Sequence, residues 1–155
     1  MWVPPEDKDP IVYHHPTRKS VGYFGAVRLR DGALVFRRHT GKFNGESFWE
    51  FLKQFEQTSA IADRRVIVIS DNAPYHRSRL HLSWRLQHAP QFALDFLPPY
   101  SPELNPIERV WKLTRRLCLH NRYFGFLESV MEAVENQFKD WTEPNDALRR
   151  LCAIT

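Results

Sequence analysis

Cysteine is scarce in this chain: Cys118 and Cys152 are the two among 155 residues, and no Cys-x-x-Cys pair occurs. That argues against a disulfide framework and a structural zinc site, and makes a reducing compartment, the cytoplasm, the expected location. No apolar run approaches the ~20 residues that a bilayer-spanning helix needs, which excludes an integral membrane protein. The opening MWVPPEDKDP has neither the basic start nor the apolar centre of a secretory leader. Internal repeats and low-complexity tracts are lacking as well. What is present is an ordinary globular composition, 43% hydrophobic and 26% charged, with five Trp, five Tyr and eleven Phe for a packed interior. A single domain of this length buries roughly two thirds of the surface its unfolded chain exposes.

The net charge is +4 and the sequence pI about 9.3, which permits a polyanionic partner. The distribution says more than the sum. Between Asn105 and Phe124 stand Arg109, Lys112, Arg115, Arg116 and Arg122 against Glu108 alone, and between Arg64 and Arg85 five arginines face only Asp71. The positive field is therefore centred on the middle of the chain.

Local patterns divide the chain into an irregular Pro-rich lead-in over 1–19, a folded α/β domain over 20–141 and a tail over 142–155. Ser20–Arg28 and Ala33–Arg38 read as strands joined at Asp31-Gly32, a hairpin signal. Phe48, Phe51, Leu52 and Phe55 recur at helical spacing within 44–57. Arg65–Ser70 is a β-branched run of the kind found in strands buried on both faces. A helix over 78–88, a short strand over 92–97 and a rigid Pro98-Pro99-Tyr100-Ser101-Pro102 loop follow. The next helix opens at Asn105 with the stripe Ile107, Val110, Trp111, Thr114 and Cys118. The last runs over 127–141 with Val130, Met131, Val134, Phe138 and Trp141. A hairpin followed by alternating helices and strands predicts a mixed sheet covered by helices.

Two acids stand out by position. Asp71 follows the end of an apolar strand, where open α/β sheets bind their ligands. Glu108 lies in the first turn of the helix that begins at Asn105-Pro106. Two such carboxylates suit magnesium or manganese, which prefer hard oxygen ligands, and paired metal ions suit in-line displacement at a phosphodiester. Each acid also has an architectural reading: Asn105 and Glu108 match a capping box, and Asp71 satisfies loop amides in a turn. A metal-free acid–base pair is a further alternative. His81 and His88 share a helical face without a third metal ligand. Arg109, Lys112 and Arg116 share another, a solvated stripe or a phosphate-tracking one.

The stretches VIVISDNAPYH and FLPPYSPELNPIERVWKLTRR resemble the DDE transposase domain of the insertion-sequence branch of the mariner-like superfamily. The likeness continues upstream through Trp2, Gly25-Ala26, Asp31-Gly32 and Phe51-Leu52. It implies a ribonuclease-H-like fold and metal-dependent DNA strand cleavage and transfer at insertion-sequence ends. By the resemblance, Asp71 is the second metal-binding acid and Glu108 the third, holding Mg2+ or Mn2+. Asn72, His76 and Asn105 shape the site, and Arg109, Lys112, Arg115 and Arg116 contact DNA. The implied partner is double-stranded DNA carrying terminal inverted repeats, placing the protein on the nucleoid when bound.

The family pattern also carries a first acid in an opening strand, upstream of the tryptophan that Trp2 matches. Asp7 and Asp9 are the early candidates, and neither follows a β-run. The expectation is a fold lacking its opening strand: a truncated enzyme, a homo-oligomer, or a chain completed by an upstream-encoded transposase polypeptide. The alternative function is a catalytically incomplete remnant that binds DNA or pairs with a full-length transposase.

Overall fold

A computed structural model describes residues 12–14 and 19–154, with side chains described over 20–154. The expectations on Asp7, Asp9 and Trp2 lie outside the described residues. Two compact units form, one from residues 1–41 with 106–155 and the other from 42–105. No helix of the described residues is long and apolar enough to cross a membrane.

In the first unit, β1 (Val12–His14), β2 (Lys19–Val27) and β3 (Leu34–His39) form an antiparallel sheet in the order β1-β2-β3. The β2–β3 register runs from Gly22 opposite His39 to Val27 opposite Leu34. The expected Asp-Gly turn closes it. Gly32 takes a φ of +80°, and a Cβ there would meet the Asn145 carbonyl at 2.3 Å, so both backbone and space demand glycine. Asp31 fixes the turn by accepting from Arg28 Nε and Nη2 at 2.8 and 2.6 Å.

Helix α3 (Ile107–Thr114) leads into a single π turn over Arg115–Leu119, then α4 (Leu127–Asp140) and α5 (Asp146–Leu151). The predicted stripes are the buried ones. Val110, Trp111, Thr114 and Cys118 come from the α3 segment, and Val130, Val134, Phe138 and Trp141 from α4 and its C-cap. They close over Val21, Tyr23 and Leu34 of the hairpin. Each such apolar side chain contributes about 1.5–3 kcal/mol when removed from water. Trp111 lies directly on β2: a Cβ on Gly25 would stand 2.4 Å from its ring.

Helix α5 falls within 142–155, where the sequence pattern suggests a tail. Asn145 caps it, accepting from the Leu148 N–H at 2.8 Å, and Leu148 and Cys152 are fully buried in the same core. Six residues offer too little periodicity to announce a helix; the burial of Leu148 stabilises it.

In the second unit, Asn44 and Ser47 form a capping box that opens α1 (Gly45–Ser59). Strands β4 (Val66–Ser70) and β5 (Phe92–Phe96) pair in parallel, from Val66 opposite Phe92 to Ser70 opposite Phe96. The helix expected over 78–88 is shorter. Two 3-10 turns, Pro74–Arg77 and Arg79–His81, precede α2 (Leu82–His88).

One expectation is corrected. Ile67 is 59% and Ile69 54% exposed, so β4 is not buried on both faces. Ile67 and Ile69, two residues apart, share one face of the strand, and that face is exposed; among the described residues β4 pairs with β5 alone.

Candidate active site

The β4 strand delivers Asp71 at its C-terminal end, and the following loop folds back to hold that side chain. Asp71 Oδ1 accepts from the Ala73 N–H at 2.9 Å and faces His76 Nδ1 at 2.8 Å. The same Nδ1 lies 3.2 Å from the Asp71 carbonyl and 2.9 Å from Ser70 Oγ. A carboxylate and a carbonyl are acceptors only, so the imidazole hydrogen sits on Nδ1. Burial fixes the ring: His76 is 8% exposed and packs 4.3 Å from Phe48 and 4.6 Å from Tyr75, centroid to centroid. Asp71 is thus oriented by a hydrogen-bonding partner that is itself immobilised by aromatic packing.

Asn72 joins the ends of the two parallel strands. Its Nδ2 donates to the Leu97 carbonyl, and its Oδ1 accepts from Arg77 Nε at 2.9 Å and Nη2 at 2.5 Å. The Arg77 guanidinium lies over the Phe96 ring, 4.0 Å from its centroid. Asp71, Asn72 and His76 are therefore brought together as predicted site residues of one loop. Sequence reasoning did not select Ser70, Phe48 or Arg77. Arg77 had a local signal, since it directly follows the motif histidine.

His81 and His88 have separate structural tasks. His81 is fully buried and its Nε2 donates to the Tyr75 carbonyl at 2.8 Å; His88 Nδ1 donates to the Trp84 carbonyl at 2.8 Å.

Glu108 lies on α3 in the first unit. The capping box expected from Asn105 and Glu108 is not made: no side-chain hydrogen bond caps α3, and the Asn105 N–H donates to the Pro102 carbonyl at 3.0 Å. That donation closes the 3-10 turn over Pro102–Leu104 and withdraws the N–H which a capping glutamate would accept. Asn105 itself is buried at the end of the second unit.

Of the four cations placed on this segment, Arg109 is turned to the C-terminus. Its Nη1 donates to the Leu151 and Ala153 carbonyls, each at 3.0 Å, satisfying orphan groups at and just past the C-terminal end of α5. Lys112 and Arg116 are exposed and Arg115 half-buried. Among the described residues no group of three or more His, Cys, Asp or Glu side chains is gathered for a metal ion. The donor type of Asp71 and Glu108 nonetheless fits a hard divalent cation. Magnesium is commonly held by one or two carboxylates and completes its shell with water and substrate phosphate.

The sequence pattern of the DDE superfamily endonuclease family matches residues 1–131. An uncharacterized protein of Sinorhizobium fredii is 41% identical over 65 residues, which is 42% of this chain and 44% of that protein. The insertion element IS630 uncharacterized 39 kDa protein of Shigella sonnei is 29% identical over 89 residues, 57% of this chain and 25% of that protein. The chain thus spans from a quarter to less than half of the length of these curated relatives. The crystal structure of the catalytic domain of Mos1 mariner transposase superposes with a TM-score of 0.67 at 18% identity, over 93% of this chain and 72% of that one. That of the Mos1 mariner paired end complex with Mn gives 0.66 at 16%, over 91% and 42%. The fold is the ribonuclease-H-like α/β fold of these catalytic domains. The chain belongs to the DDE superfamily endonuclease family.

Proposed function

We propose that this chain cleaves and transfers DNA strands at insertion-sequence ends with magnesium or manganese, Asp71 and Glu108 being its catalytic, metal-binding carboxylates. The observation that supports this best is the construction at the end of β4. There one carboxylate is held by the Ala73 N–H and the His76 imidazole, at 2.9 and 2.8 Å. A surface turn residue would not need a buried, aromatic-packed histidine to aim it. The Mos1 paired end complex with Mn, which the fold resembles, supports divalent-metal use.

In this reading a bound divalent ion supplies activation of the attacking oxygen and charge stabilisation at the phosphodiester. The chain's own residues prepare that event. His76 keeps the Asp71 carboxylate in one orientation, and Asn72 ties the loop to the end of β5. Glu108 supplies the second carboxylate from α3. Lys112, Arg115 and Arg116 supply positive charge along the segment that carries Glu108, suited to a phosphate backbone. Terminal inverted repeats are the proposed DNA target.

The test is a nicking assay on duplex DNA bearing terminal inverted repeats, with magnesium or manganese. Cleavage that vanishes in Asp71→Ala and in Glu108→Ala, and on chelation, is the expected result. No cleavage by the unaltered chain at high protein and manganese would reject autonomous catalysis. Cleavage insensitive to chelator would reject the metal dependence.

A further inference from the structure

We propose that Arg77 and Arg85 form a phosphate clamp for the DNA backbone beside Asp71. The inference rests on the reading that the chain acts on DNA and adds two contacts to it, both on the second unit. Arg77 is held in place yet electrically unspent. One face of its guanidinium is taken by Phe96 at 4.0 Å and one edge by Asn72 Oδ1, through Nε and Nη2. Both partners are neutral. A guanidinium carries five N–H donors, so this arrangement leaves the Nη1 edge for an acceptor in the ring plane. That is the fork geometry with which arginine takes a phosphate.

Arg85 supplies an independent observation. It stands on α2 (Leu82–His88), and its Nε is buried with no hydrogen-bond partner. A buried N–H without an acceptor is costly, and native structures rarely leave one. Burial, followed by the neighbouring Arg77 charge, pushes the Arg85 pKa below its ordinary value. Arg77 is the charged group that acts on Arg85. Among the described residues neither is paired with a carboxylate, whereas Arg28, Arg38, Arg149 and Arg150 all are. An anion beside the two cations offsets their like charge, and a backbone phosphate is that anion on DNA. Arg79, in the intervening 3-10 turn, is exposed and has no such frame.

The experiment is fluorescence anisotropy with a fluorescein-labelled duplex of mixed sequence, in EDTA, over a series of salt concentrations. Arg77→Gln and Arg85→Gln should each weaken binding about tenfold, and each should lower the slope of log affinity against log salt by about one. Arg77→Lys should keep most of the slope and lose part of the affinity, because the charge remains while the fork is lost. Arg79→Gln, with the same change of charge, should lose less. A loss no larger for Arg77→Gln and Arg85→Gln than for Arg79→Gln would overturn the clamp. So would an unchanged salt slope with a lowered melting temperature, the signature of a structural role alone. No duplex binding by the unaltered chain would overturn it too. The metal reading fails separately: with EDTA present, Asp71→Asn should keep its duplex affinity, and only divalent-dependent cleavage reports on the carboxylates.

Discussion

His76 Nδ1 stands 2.8 Å from Asp71 Oδ1 while its ring packs 4.3 Å from Phe48, so one side chain links the aromatic core to the candidate metal ligand. These two functions are separable by substitution. His76→Phe keeps the ring packing and removes the N–H. His76→Asn places an amide N–H near the Nδ1 position and gives up the ring. Manganese affinity, measured by paramagnetic titration, should fall about 10–100-fold in His76→Phe. It should recover in part in His76→Asn, although that variant melts lower. Equal affinity for the two variants would show that His76 merely packs.

The buried His81 makes stability depend on pH. Burial is the largest influence and lowers its pKa from 6.5; the nearby Arg85 and His76 act in the same direction, and the hydrogen bond to the Tyr75 carbonyl opposes them. The folded form therefore takes up its proton at lower pH than the unfolded chain does. Above about pH 6.5 both forms are neutral and this stability is complete. As pH falls below that value the unfolded chain protonates first, and stability declines until the folded pKa is passed. Urea midpoints from about pH 8 to pH 5 should fall in the unaltered chain. His81→Gln, which retains a donor for the Tyr75 carbonyl, should flatten that dependence.

Gly25 is the seat of Trp111. A Cβ at Gly25 would stand 2.4 Å from the Trp111 ring, and α3, which bears Glu108, would have to move or the ring to turn. Gly25→Ala should destabilise the fold by about 1–3 kcal/mol through overpacking. Combining it with Trp111→Phe should cost less than the sum of the two single changes. Urea unfolding of the four chains in a double-mutant cycle measures the coupling, and strict additivity would contradict the contact.

Helix α5 is integral to the first unit. Asn145 accepts from the Leu148 N–H at 2.8 Å and donates to the Gly32 carbonyl at 3.1 Å, tying the helix start to the β2–β3 turn. Leu148→Ala should cost about 2–5 kcal/mol as a cavity mutation, and Asn145→Ala about 1–2 kcal/mol as a lost cap. A chain that tolerates both without a shift in its unfolding midpoint would show that this segment does not support the core.

Much of the site was legible because its signals are local. An acid directly after VIVIS lands at a strand end, and Asn72 and His76 share its loop by proximity in the chain. The stripe from Val110 to Cys118 was legible for a similar reason, since helical periodicity fixes which face turns inward. The role of Arg109 was not legible. It shares a helical face with Lys112 and Arg116, yet its donors go to carbonyls more than forty residues later. Nor could spacing decide between a capping box and a glutamate outside one, because the Asn105 N–H is claimed by a carbonyl in the preceding turn.

By itself the sequence determined the hairpin at Asp31-Gly32, the inward faces of α1, α3 and α4, and the strand-end place of Asp71, all consequences of short-range backbone preference and apolar period. Tertiary structure alone decided that Ile67 and Ile69 stay exposed, that 142–155 contains a core helix, and that Arg77 is fixed between Asn72 and Phe96. Those outcomes depend on which distant groups arrive to cover an apolar face or accept an N–H. A residue's own neighbours in the chain carry no record of them.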